Sequence, residues 1–247
     1  MTTHTEPGRP TSNGHAPEYD RWRNSTRVFL QPIAAPSILG LFGFAAATFM
    51  VATNIAGWYG TSTSPIYLFP FAAVFGGVAQ FAAGMWAYRA RDAIATAVHG
   101  MWGSFWIAYG ILYLLVAVHA IVLPTGKFPE LAFWFFPLAA ITASAAVASV
   151  GQNLGVTATL TSLAGGAGCL AIGYLIGSSA WLHTGGWILF ASSICAFYTG
   201  SAMMWKASFG RVVLPLGEPQ AEANLPGHSY THPIEYHDGE PGVRQGQ

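Results

Sequence analysis

The sequence predicts an all-α membrane protein of six transmembrane helices with both termini in the cytoplasm. Three observations predict it: the scarcity of charge, the length of the apolar runs between charges, and the side on which the few cations fall. Of the 247 residues, 53% are hydrophobic and only 8% are charged, where an ordinary soluble domain carries roughly 25%. Between Val28 and Trp205 the formal charges are confined to Arg89, Arg91, Asp92, Lys127 and Glu130. A helix needs about 20 residues to cross a hydrocarbon core of about 30 Å, and the runs between these points are long enough. The 29 glycines and 15 prolines do not argue otherwise, because both residues are commoner in membrane helices than in soluble ones.

Residues 1–34 form a polar tail rich in Thr, Pro, Gly and charge, read as disordered. Nothing in its first 27 residues resembles a signal peptide. The membrane domain spans 35–216, and a second polar, disordered tail covers 217–247. The first apolar segment runs from Ser37 to Trp58 and opens on APSILGLFGF (Ala35 to Phe44). Pro36 suits a first helical turn, where its missing N–H has no partner to lose. Gly40, Phe44 and Thr48 follow at four-residue steps, on one slowly drifting face. Segment two is Ile66 to Tyr88. Segment three, Ala93 to Val122, is long enough that it must tilt or project. Segments four, five and six are Leu131 to Val150, Val156 to Ser178, and Leu182 to Met204. Gly173 and Gly177 form a G-x-x-x-G pair, with Gly165, Gly166 and Gly168 nearby; such residues allow close helix packing in lipid. No internal repeat is evident.

The connecting loops are short, so the positive-inside rule applies. Arg21, Arg23 and Arg27 precede the first span, Arg89 and Arg91 lie between the second and third, and Lys206 and Arg211 follow the sixth. With six spans all seven share one side, and the other side holds Lys127. That places both termini in the cytoplasm.

No Asp, Glu, Lys or Arg lies inside any span. Proton coupling through an embedded carboxylate, a retinal Schiff base and a paired-carboxylate active site are thereby excluded within the membrane. Three histidines remain in the membrane region. His99 is near the cytoplasmic end of the third span, while His119 and His183 are near the outer side. They do not share a depth, so no metal centre and no cofactor is expected. His228 and His232, in the C-terminal tail, sit between prolines that oppose a helix and read as solvated. Cys169 and Cys195 read as small buried residues. No basic patch suggests nucleic acid. The third span carries His99, Trp102, Trp106, Tyr109 and Tyr113 on one face, which is either a packing surface or a pore lining. Neutral polar groups, Thr48, Asn54 and Gln80 among them, suit a small, weakly polar solute or a small anion better than a cation.

Several segments, in order, resemble the acetate uptake transporter family of the SatP/YaaH type. These are APSILGLFGF, FGGVAQFAAGMWAYR (Phe75 to Arg89), GSFW (Gly103 to Trp106), LAIG (Leu170 to Gly173), HTGGW (His183 to Trp187) and FGRVVLPLG (Phe209 to Gly217). The resemblance covers Ala35 to Gly217. It implies a six-helix protomer with its own pathway, assembled as a homo-hexamer in the cell membrane. It also implies passage of acetate and similar short monocarboxylates, with succinate in some members, by proton symport or channel-like conduction. The family's constriction of Phe, Tyr and Leu falls on Phe44, Trp102 and Leu163, with tryptophan replacing tyrosine. Pro36, Gly40, Thr48, Asn54, Gln80 and Trp106 are the further candidates along the path. The signature is altered: Ala35 and Ala52 stand where asparagines are expected, Ile38 where a proline is, and Ala87 where a glutamate is.

The reading is therefore a transporter rather than an enzyme, whose partners are small carboxylates, protons, the bilayer and further copies of itself. The alternative is a membrane sensor or interaction protein built on a transporter scaffold.

Overall fold

The computed structural model describes residues 34–61 and 63–219. The tail arginines Arg21, Arg23 and Arg27 and the tail histidines His228 and His232 lie outside the described residues. Among the described residues are six helices long and apolar enough to cross a membrane. They are α1 (Pro36–Ile55), α2 (Ser64–Ala90), α3 (Ala93–Ala117), α4 (Pro129–Ser149), α5 (Leu154–Ile176) and α6 (Ser179–Phe209). The protein is a multi-pass membrane protein.

Pro36 occupies the first turn of α1, as its fixed φ favours. Ala35 is the N-cap and offers no side-chain acceptor. Asp92 and Asn153 cap α3 and α5 by accepting Ala95 N–H at 2.9 Å and Val156 N–H at 2.8 Å. Leu154 and Gly155, in the first turn of α5, also lack intrahelical acceptors. The C-terminal segment supplies them: Leu154 N–H donates to Gly217 O (3.1 Å) and Gly155 N–H to Leu216 O (3.0 Å). Val212 and Leu216 of this segment are buried, and Lys206 pairs with Glu218 at 2.6 Å. The packed region thus reaches just past the expected boundary at 216.

Two helix lengths depart from expectation. α3 stops at Ala117 instead of running to Val122, because His119 takes a left-handed φ of 56° and turns the chain into a loop. The overlong helix is α6, which has 31 residues and carries Lys206 in its last turn. Gly210, at φ 63°, ends it. A third departure is internal to α2. Residues Ala72–Ala79 form a π-helical segment just after Pro70. Proline has no N–H to donate, and a widened turn absorbs the lost hydrogen bond.

The six helices form a ring in chain order. α1 packs on α2 and α6, α2 on α3, α4 on α5, and α5 on α6 along their lengths. The seam between α3 and α4 is thin by comparison. Small residues make the tight seams. A Cβ on Gly84 would stand 2.7 Å from the Gly100 backbone, and one on Gly166 2.6 Å from the Leu189 side chain. Gly177 is not part of this packing: at φ 72° it terminates α5. Gly168 faces open space.

Candidate functional site

The ring surrounds a cavity of about 40 Å³ in the half of the bundle away from the start of α1 and the end of α6, the terminal side. A water needs roughly 10–15 Å³ of such space, so the cavity suits about three waters or one solute of similar size. α1 lines it with Thr48, Val51, Ala52 and Ile55; α3 with Trp102, Phe105, Trp106, Tyr109 and Tyr113; α4 with Leu131 and Phe135. Leu163, Leu170 and Tyr174 of α5 and Leu189 of α6 complete it. No lining residue carries a formal charge. The third helix's aromatic stripe is therefore a cavity wall from Trp102 to Tyr113, and His99 continues it below.

At the inner end of the cavity the three residues matched to a constriction come together. Trp102 and Leu163 share the lining. Phe44 packs edge-on against Trp102, with ring centroids 6.2 Å apart. All three are almost wholly buried, at 2% (Phe44), 3% (Trp102) and 1% (Leu163) exposed. The Trp102 indole is held on the other side: its Nε1–H donates to Thr142 Oγ1 of α4 at 2.9 Å.

Two lining residues hold polar atoms that find no partner. The Thr48 hydroxyl and the Trp106 indole Nε1 are buried without a hydrogen bond. Thr48 is an exception among the buried threonines. Thr53, Thr142, Thr159 and Thr199 each donate to the carbonyl four residues back, the usual resort of a helical threonine. Trp106 is seated by Gly76 in the π-helical part of α2, where a Cβ would stand 2.6 Å from the indole. That glycine lies inside the FGGVAQ motif, but nothing in the pattern connects it to a tryptophan on another helix.

The remaining candidates lie elsewhere. Gln80 and Gly40 sit on the terminal side of the constriction, around His99. Gln80 Nε2 is 3.4 Å from His99 Nδ1, and both side chains are buried. A Cβ on Gly40 would stand 2.5 Å from His99 Nε2. Gly40 therefore makes room for an imidazole, a role the spacing of the signature does not reveal. Gln80 Oε1 has no partner. Pro36 stays at the half-buried mouth of α1. Asn54 is a loop anchor: its Nδ2 donates to Tyr59 O at 2.9 Å, while the Tyr59 hydroxyl donates to Met50 O at 2.6 Å. Burial raises the Tyr59 phenol above its usual pKa. The histidines do not converge, and no three His, Cys, Asp or Glu gather among the described residues.

The comparisons with known proteins bear on this geometry. The curated relatives include the succinate-acetate/proton symporter SatP of Escherichia coli K12. It is 28% identical over 189 residues, covering 75% of this chain and 96% of the relative. An uncharacterized protein of Methanothermobacter thermautotrophicus is 27% identical over 206 residues, covering 78% of this chain and 96% of its own. Among solved structures, that of a bacterial acetate channel SatP superposes with a TM-score of 0.69 at 24% identity. It spans 75% of this chain and all of that one, and at this identity the likeness speaks for the fold. Residues 23–217 match the pattern of the GPR1/FUN34/yaaH family. With most of its length matched to that pattern and its ring of six helices shared with a solved relative, the chain belongs to the GPR1/FUN34/yaaH family.

Proposed function

We propose that the protein carries acetate and similarly small monocarboxylic acids across the cell membrane, through the cavity and past Phe44, Trp102 and Leu163. The observation that carries this reading is an uncharged cavity whose lining includes Thr48 and Trp106, each with a buried polar atom that has no partner. A buried polar group without a partner costs about 1–3 kcal/mol. A solute that accepts from both recovers that cost, and a carboxyl group does so while its methyl group meets the aliphatic wall.

The uncharged lining favours the protonated acid, since an isolated carboxylate is far costlier to desolvate. The acid then brings its own proton, which makes uptake proton-linked without a titrating carboxylate in the protein. Gly40, Gln80 and Pro36 lie on the route from the constriction to the terminal side, which the positive-inside rule assigns to the cytoplasm. Each protomer has its own cavity, and the family resemblance supports assembly as a homo-hexamer.

The test is flux of labelled acetate into proteoliposomes, with pH and membrane potential varied separately. Uptake above that of empty liposomes, rising on the acid side and indifferent to potential, is expected. Uptake equal to empty liposomes at every pH rejects transport. Uptake that follows potential rejects passage of the neutral acid.

A further inference from the structure

We propose that Thr142 is a positioning residue that sets which acids pass, by latching the Trp102 indole across the α3–α4 seam. The proposal rests on the transport reading above. Trp102 stands where the family resemblance expects a tyrosine, so the device belongs to this chain's own substitution.

The direction of the bond is fixed by chemistry. An indole N–H only donates. The Thr142 hydroxyl already gives its proton to Leu138 O at 2.6 Å, so toward Trp102 it accepts, at 2.9 Å. Both ends are buried, with Thr142 1% and Trp102 3% exposed. An indole that swings aside gives up this acceptor.

The place of the bond gives it leverage. Neighbouring helices elsewhere in the ring are packed closely, but α3 meets α4 thinly, with Phe105 against Phe135 at 5.3 Å just beyond the latch. Trp102 is wedged between Phe44 and Phe105 on its own side and shares the cavity floor with Leu163. Rotation of this one side chain widens the floor, and Thr142 opposes that rotation. Trp106, one turn along α3, shows the contrast: its indole N–H is buried with no acceptor. A small acid needs little displacement of Trp102. A larger one needs more, and meets more of the bond's resistance.

The test compares lactate with acetate flux in proteoliposomes of the full chain. Thr142→Val removes the acceptor and keeps the shape; Thr142→Ser keeps the acceptor. Thr142→Val is expected to raise the lactate-to-acetate ratio by roughly 2- to 10-fold, the range a single neutral hydrogen bond supports. Thr142→Ser should keep the wild-type ratio. Thr142→Ala carries the same expectation as Thr142→Val if the latter does not assemble. The indole N–H signal of Trp102 in ¹⁵N-tryptophan-labelled protein should move in Thr142→Val and stay in Thr142→Ser. An unchanged ratio in Thr142→Val, or an equal change in Thr142→Ser, overturns the latch while leaving transport standing. A wild-type protein that moves no acid overturns the transport reading and this proposal with it.

Discussion

Gly40→Ala is the substitution whose outcome the structure determines most sharply. The added methyl carbon would stand 2.5 Å from His99 Nε2 and 2.6 Å from two ring carbons. Comfortable carbon contacts begin at about 3.5 Å, so the imidazole has to retreat by roughly 1 Å. It is 5% exposed, and its Nδ1 faces Gln80 Nε2 at 3.4 Å. Overpacking of this kind costs about 1–3 kcal/mol, and the weakened hydrogen bond adds about 0.5–1.5 kcal/mol. Set against alanine's own helix advantage of about 0.5–1 kcal/mol, the expected net loss of stability is about 0.5–4 kcal/mol. The control is His99→Ala, which removes the obstruction. In that background alanine should be better than glycine by about 0.5–1 kcal/mol, its ordinary advantage inside a helix. The sign of the effect therefore reverses between the two backgrounds. Unfolding in mixed micelles, run as a double-mutant cycle, reads it directly. The same loss in both backgrounds would show that Gly40 is constrained by something other than the imidazole.

Leu163→Ala should open the cavity floor, raising flux of larger acids relative to acetate and lowering stability by about 2–5 kcal/mol. An unchanged selectivity in the same flux panel would remove Leu163 from the narrow point. Thr48→Val and Trp106→Phe should leave unfolding stability unchanged or slightly higher, because each deletes a buried polar group that has no partner. Both should raise the acid concentration needed for half-maximal uptake; a loss of stability with unchanged uptake would contradict the assignment. Gly177→Ala should cost about 1–2 kcal/mol, since a side chain is strained in the left-handed region, whereas Gly168→Ala, facing open space, should be neutral or mildly stabilising. Paired unfolding curves distinguish them, and equal costs would refute the division of roles.

The architecture was legible because lipid imposes one rule on the whole chain: spans must be apolar, helical and about 20 residues long. Charge placement marked the α2–α3 and α3–α4 boundaries, while Asp92 and Asn153 prove to be the residues that cap α3 and α5. The ends were harder to read. An apolar run such as Val118 to Val122 does not reveal that His119 will take a positive φ. Gly173 and Gly177 look alike in sequence, but one packs and the other terminates. The site was legible where one helix suffices, as in the Trp102 to Tyr113 stripe. It was not legible where two helices must meet. Gly40 with His99, Gly76 with Trp106, and Trp102 with Thr142 are pairs distant in the chain, and no spacing on a single helix encodes them.

The polar groups along the ring's interior differ in how far the protein satisfies them, and the differences follow position. At the proposed constriction the indole of Trp102 is committed to Thr142, so on this reading that place offers a passing solute no polar group of its own. On the cavity side Thr48 and Trp106 are uncommitted; on the terminal side Gln80 keeps one free oxygen beside His99. On the proposed path a solute moving inward would leave two unpartnered groups, cross an apolar contact, and meet a carboxamide, which can both donate to and accept from a protonated carboxyl. Ala52 strengthens the asymmetry. It lines the cavity where the family resemblance expects an asparagine, so one donor fewer faces the solute there. A wall with fewer donors solvates an anion less well and a neutral acid almost as well as before. Under the proposed function the alanine in α1 and the tryptophan in α3 act in the same direction, toward a path that admits small acids in their uncharged form.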